Sequence, residues 1–308
     1  MRRVMAAFAA LLCTAAVAAV AVAPAGAITG NFQRDFTHNY VGLIAYYKAD
    51  GTFIHRCSGA LVNPTTFLTA GHCSDVADPT LDHAIIWFSE SGGSTYNPTT
   101  GQAAVTGYPY SCINTAQYPC RTASTLLNNG FTGLKGIGQD NLDVGMAILD
   151  QPLSLNTYGS LADVGFLDSV AAQTGKKATF TATGYGVSET KPATISLRER
   201  LMATLQLVNI GSAYEGGTNL HLSANPGGGK GGTCFGDSGG PILYDSTDII
   251  VGVNSFVKNL NCAGSGFAYR TDTTETLDWI LTHADYTSGG IRVVSYDGTT
   301  RVVTSPPS

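Results

Sequence analysis

Short runs of β-branched and aromatic residues recur along this chain, and helical periodicity is scarce. Tyr40–Tyr47, Ala84–Phe88, Val144–Leu149, Lys177–Tyr185, Leu201–Val208 and Ile249–Phe256 are such runs, separated by Gly, Asn, Asp and Thr. Branched and aromatic side chains pack well on a pleated surface, and the separating residues favour turns. The 37 glycines fit a chain that turns often. The pattern predicts an all-β protein of many short strands, a sandwich or a barrel. The stretches before and after about residue 160 each hold enough strands for a barrel.

Two local signals stand out near the end. Asp272 followed by Glu275 has the spacing of a capping box, and Leu277, Ile280 and Leu281 recur at helical spacing behind it. Further on, Ile291–Val294 and Arg301–Thr304 flank Tyr296-Asp297-Gly298-Thr299, a hairpin signal.

The chain opens on Met1-Arg2-Arg3, an apolar run from Val4 to Val22, and Ala25-Gly26-Ala27. A positive start, an apolar middle and a small-residue end describe a secretory signal over residues 1–27. The run comes close to the length of a membrane span, but the small residues at 25–27 favour cleavage. No later stretch is long and apolar enough to span. Cleavage leaves 281 residues with 15 basic and 22 acidic side chains, a net charge of −7. That excludes nucleic acid as the expected partner, because phosphate binding needs a basic stripe. The expected location is extracellular, without membrane attachment after cleavage.

Cys13 leaves with the signal, and Cys57, Cys73, Cys112, Cys120, Cys234 and Cys262 remain. An even number in an exported chain points to three disulfides, and spacing alone allows fifteen pairings. The short spans favour 57–73 and 112–120, leaving 234–262. No C-x-x-C or paired Cys/His spacing supports a zinc site, and no cofactor motif is present.

Three segments carry chemistry: "FLTAGHC" at 67–73, "NLDVGMAILD" at 141–150 and "TCFGDSGGP" at 233–241. A serine hydroxyl becomes a nucleophile when a base takes its proton. That base is commonly a histidine held in one tautomer by a buried acid. A tetrahedral oxyanion then needs backbone N–H donors. Ser238 is flanked by glycines, His72 adjoins Cys73, and Asp143 begins an apolar strand, a place where a carboxylate can be buried. His38, His55, His83, His221 and His283 lack such flanks and read as structural.

The order His72, Asp143, Ser238 and the wording around each resemble the chymotrypsin-like serine proteases of the trypsin superfamily, in a secreted, bacterial-type member. "TAGHC" is similar to that family's histidine motif, "GDSGGP" to its serine motif and "LDVGMAIL" to its aspartate strand. The resemblance covers roughly residues 28 to 285. It implies two packed six-stranded antiparallel β-barrels with a C-terminal helix and the site between them. The N-terminal barrel would run over 28–160, the C-terminal barrel and helix over 161–285, with an extension at 286–308. By the same resemblance Ser238 is the nucleophile, His72 the base and then acid, and Asp143 the orienting acid. The backbone N–H groups of Gly236 and Ser238 form the oxyanion hole. Cys57–Cys73 and Cys234–Cys262 match family disulfides. The expected substrate is a protein or peptide, and the expected state a monomer.

Substrate preference in this family is read beside the nucleophile. Gly232 stands where trypsin-like members carry an acid, so no Arg or Lys preference is expected. Thr233 follows it. Ser255 in "NSFV" falls near Asp143, and Val257 stands where a glycine would leave the pocket wall open. The opposite wall is Gly266 if Arg270 sets the register, and Phe267 if Tyr269 does. Cleavage after small or medium apolar residues is the expectation. The resemblance also gives Ile28 a role. "ITGN" is a looser version of the family's activated N-terminus, whose ammonium pairs with the acid before the nucleophile, here Asp237. One cut by signal peptidase would then also activate the enzyme.

Two other readings fit parts of the sequence. "GDSGG" satisfies the G-x-S-x-G of α/β-hydrolase esterases, but that fold needs its acid and histidine after the serine. Only His283 follows Ser238, and the alternating helices are missing. A non-catalytic binding protein on the same fold would typically have lost a triad residue, and all three are present.

Overall fold

The computed structural model describes residues 28–74, 78–90, 119–131, 140–188, 198–212, 217–225 and 229–307, with positions 112, 114, 116, 133, 190 and 196. The expected signal, residues 1–27, lies outside them. Two barrel-like, mainly antiparallel sheets and a C-terminal helix dominate the described residues, as the all-β reading expects.

The first sheet has seven strands between Val41 and Ile148. One of its inner strands, Val41–Tyr47, is buried at every position. It pairs with Phe53–Leu61 on one side and His83–Trp87 on the other. Thr66–Thr69 continues the sheet and pairs with Gly145–Ile148, Thr69 opposite Gly145. This pairing brings the segments after Thr69 and before Gly145, which carry His72 and Asp143, to the same end of the barrel. The bridge Cys57–Cys73 ties the middle of Phe53–Leu61 to this region. Closing a 15-residue loop in the unfolded chain is worth about 3 kcal/mol in the loop-entropy model.

The second sheet has ten strands, more than a six-stranded barrel, because short outlying strands join it. The N-terminal strand Phe32–Arg34 crosses over to pair with Leu201–Ser212. Ser160–Ala162, between the two halves, pairs in parallel with both Ile249–Val257 and Ile291–Val294. The expected hairpin is present: Ile291–Val294 pairs with Thr300–Val303, and Gly298 takes a left-handed φ of 88° in its turn. Residues 29–34 therefore pair with the C-terminal barrel, although the expected boundary placed them in the N-terminal one. The extension also joins both halves. Ile291 and Val293 are fully buried in the core cluster of the first barrel, while Arg301 pairs with Asp163.

The C-terminal helix, Thr274–His283, buries Leu277, Ile280 and Leu281 against that same core. Its cap is Thr273, whose hydroxyl accepts from the Thr276 N–H, and not the expected Asp272. Asp272 is buried and committed elsewhere. Its carboxylate takes Arg270 and the Leu167 N–H, satisfying the start of a second helix, Phe166–Gln173. That eight-residue helix was not anticipated; Phe166, Leu167 and Val170 are its buried face.

All three disulfides follow the expected pairing: 57–73, 112–120 and 234–262. No helix among the described residues is long and apolar enough to cross a membrane.

Candidate active site

Asp143 is fully buried just ahead of Gly145–Ile148. Its Oδ1 accepts the His72 backbone N–H at 2.8 Å, and its two oxygens lie 3.0 and 2.9 Å from His72 Nδ1. Ser255 Oγ donates to Oδ2. Burial by itself raises this carboxyl. The charge and hydrogen bonds of His72, the Ser255 hydroxyl and the His72 backbone N–H outweigh it, so the group sits below its ordinary value. A carboxylate so held accepts a proton carried on Nδ1, which fixes the tautomer that has its lone pair on Nε2. The His72 side chain is 28 % exposed, and the Phe131 ring lies 5.9 Å from it.

Ser238 sits in a loop whose glycines are there for space and for backbone conformation. A Cβ on Gly239 would lie 2.1 Å from Thr69 Oγ1 and 2.5 Å from the Ser58 carbonyl. Gly236 has φ of 95°, a region open mainly to glycine. Between Gly236 and Ser238, Asp237 points inward. Its oxygens accept the Gly186 N–H at 2.8 Å and the Cys234 N–H at 2.9 Å. Burial raises its carboxyl to about 7, although these two N–H groups and the Arg56 charge pull the other way. Ser238 and His72 line one cleft of about 260 Å³, with Phe235, Ser255, Phe256 and Val257.

The other expected pocket residues fall into two groups. Ser255 and Val257 line the cleft; Gly232, Thr233 and Gly266 are buried outside its lining. Val257 pairs with Gly266, and a Cβ on Gly266 would lie 3.2 Å from Thr233 Oγ1. Phe267 is stacked between His221 and Phe256, both ring centroids 4.6 Å away. Neither Gly266 nor Phe267, the two candidates for the opposite wall, is among the residues lining the cleft.

Ile28 is fully buried and belongs to the core cluster of the second barrel, which also holds Phe166 and Leu201. Thr29 and Gly30 pair with Gly232 and Gly231, five and six residues ahead of Asp237. In the unprocessed chain Ile28 carries a peptide N–H and makes no hydrogen bond to Asp237 among the described residues. Its φ is 64°, a strained value for a β-branched residue.

The remaining histidines have other neighbours. His38 Nδ1 lies 2.8 Å from buried Asp35, and His55 Nε2 2.8 Å from the Cys73 carbonyl. A His72 ring nitrogen and the sulfurs of Cys57 and Cys73 lie within 4.8 Å of one another, but the sulfurs are bonded together and offer no thiolate to a metal. Sequence reasoning missed Ser58, Arg56, Phe131 and Phe235. The signal available for Ser58 and Arg56 was their place beside Cys57.

The comparisons agree with this geometry. Residues 33–280 match the family model described as Trypsin. Brachyurin of Leptuca pugilator is 26 % identical over 237 residues, covering 76 % of this chain and 90 % of its own length. Trypsin zeta of Drosophila erecta is 24 % identical, covering 71 % and 73 %. These relatives are animal proteins and give no support to a bacterial-type membership. Among solved structures, HL collagenase superimposes with a TM-score of 0.53 at 16 % identity, over 82 % of this chain and 95 % of that one. Human heparin binding protein gives 0.55 at 16 %, over 83 % and 97 %. At such identities the structures speak for the fold, and the family model speaks for descent: the chain belongs to the trypsin family of serine proteases.

Proposed function

We propose that the chain is a secreted, monomeric serine endopeptidase that cleaves proteins or peptides through an acyl-enzyme. The observation that carries this is the buried Asp143 held against His72 Nδ1, with Ser238 in the same cleft. In this reading Ser238 Oγ attacks the scissile carbonyl while His72 Nε2 takes its proton. The N–H groups of Gly236 and Ser238 hold the resulting oxyanion. The C–N bond then breaks, and the departing amine takes the proton from His72. Water, deprotonated by His72 in turn, attacks the acyl ester and releases the carboxylic acid and free Ser238. The residues supply every group these steps use, so no metal or cofactor enters them.

Cleavage falls after small or medium apolar residues. Val257 narrows the cleft, and Gly232 offers no charge to Arg or Lys. The test is hydrolysis of a chromogenic peptide panel varied at that position. Turnover after Ala, Val or Leu, abolished in Ser238→Ala, is expected. A preference for Arg or Lys would overturn the pocket assignment, and no turnover across the panel would overturn the enzyme reading.

Signal cleavage before Ile28 also completes the site. The strained φ of Ile28 depends on its link to Ala27, and cutting that link releases it. The freed ammonium pairs with Asp237, whose carboxyl at about 7 lacks a full countercharge in the uncut chain. A carboxyl raised on folding destabilises the fold progressively as pH climbs from its unfolded value of about 4 to 7. The ammonium removes that cost. The cut chain is therefore more stable than one with a residue added before Ile28 at pH 7, and the gap closes toward pH 4. Equal stability and activity at pH 7 would contradict the pairing.

A further inference from the structure

Ser58 touches the nucleophile loop twice from the opposite barrel. It is fully buried on the strand Phe53–Leu61, next to the Cys57–Cys73 bridge. Its backbone N–H donates to the Ser238 carbonyl at 2.8 Å. Its hydroxyl donates to the Gly236 carbonyl at 2.8 Å and accepts the Tyr185 N–H at 2.9 Å. Its own carbonyl takes Thr69 Oγ1 at 2.9 Å. Each polar atom of the residue is thus committed, and two of them to the residues assigned to the oxyanion hole.

The neighbouring peptide is fixed as well. The Phe235 carbonyl accepts the Val187 N–H at 2.7 Å. In a trans peptide the Gly236 N–H then points the opposite way. Glycine at 236 is conformationally loose, so the peptide on its far side also needs an anchor. Ser58 Oγ supplies it at the Gly236 carbonyl, and Tyr185 gives that hydroxyl a fixed orientation. Tyr185 is itself immobilised: its hydroxyl donates to the Ser89 carbonyl at 2.7 Å, and Arg56 donates to its carbonyl.

We propose that Ser58 is a positioning residue for the oxyanion hole, a hydroxyl clamp from the first barrel that holds the Gly236 carbonyl and so keeps this glycine from turning its N–H out of the donating orientation. This rests on the protease reading above. The clamp acts on a charge that develops only in the transition state, so its loss lowers kcat and leaves KM nearly unchanged.

The test compares Ser58→Ala with Ser58→Cys, with rates taken per titrated active site. Alanine removes the hydroxyl; cysteine keeps the volume but bonds weakly. Removing an oxyanion donor outright costs about 10²–10³ in kcat, and loosening one should cost roughly tenfold to a hundredfold. Both variants are expected to fall by this factor with KM within about twofold, and to lose affinity for a peptide boronic acid in parallel. A wild-type kcat in either folded variant overturns the proposal; for cysteine alone, it would show that volume mattered and not the hydrogen bond. A loss confined to KM overturns it too. Amide hydrogen exchange reads the clamp without turnover. Exchange at Tyr185 and through 234–238 should accelerate in both variants, and unchanged exchange would refute the clamp even if no peptide were ever cleaved.

Discussion

Among the described residues, two histidines pair with fully buried aspartates in nearly the same geometry. His72 Nδ1 lies 2.9 Å from Asp143, and His38 Nδ1 lies 2.8 Å from Asp35. Both carboxylates are fully buried, and both accept a further hydroxyl, from Ser255 in one case and Thr183 in the other. What surrounds the histidine differs. His72 lines the cleft that contains Ser238. The His38 side chain is only 11 % exposed, and its ring meets Tyr40 edge-on at 5.8 Å. Asp35 also takes the backbone N–H groups of Thr37 and His38 and lies beside buried Arg200. Burial raises the Asp35 carboxyl, but His38 and Thr183 overcome this and hold it far below the usual range. The pair at His38 fastens the N-terminal segment to the strand Thr179–Gly184. A buried acid beside an imidazole is therefore not a catalytic signature by itself. A serine hydroxyl in the same cleft sets His72 apart from His38.

The sharpest way to break this comparison is to neutralise each acid. Asp143→Asn should lower kcat by about 10⁴, because His72 loses its tautomer. Asp35→Asn should leave kcat within a few-fold and cost about 3 kcal/mol, the loss typical of a broken buried pair. Equal effects on kcat would erase the distinction. The two hydroxyls should give smaller effects of the same kind. Ser255→Ala is expected to lower kcat roughly tenfold, and Thr183→Val to reduce stability by about 1–2 kcal/mol without a kinetic effect. The smallest effect is in acid. A carboxylate whose folded value is depressed contributes stability that is complete above its unfolded value of about 4 and fades as pH falls toward the folded value. Denaturation midpoints of wild type and Asp35→Asn should therefore converge below about pH 4. Midpoints that stay parallel would show that the Asp35 charge contributes little.

Local patterns in the chain anticipated much of this molecule. The strand run Val41–Tyr47, the hairpin around Asp297-Gly298 and the three disulfides were legible because each depends on residues close in sequence or on short spans. The helix Phe166–Gln173 was not, since its eight residues hold barely two turns of periodicity and its cap is Gly165 in a left-handed conformation. Asp272 misled for a related reason: its spacing to Glu275 suited a cap, but Arg270 and the Leu167 N–H compete for the same carboxylate. Nor did spacing reveal Ser58, whose partner Gly236 is 178 residues away. Contacts between barrels depend on how the sheets pack, and no short window records that.

The central claim is that Ser238 is a nucleophile activated by His72 and Asp143. A serine-directed fluorophosphonate tests it most directly, with the labelled residue located by mass spectrometry of the folded, processed protein. A single adduct on Ser238 is predicted, forming far more slowly in His72→Ala and Asp143→Asn and at the wild-type rate in Asp35→Asn. No adduct on the folded wild type, or an adduct on another serine, would contradict the account.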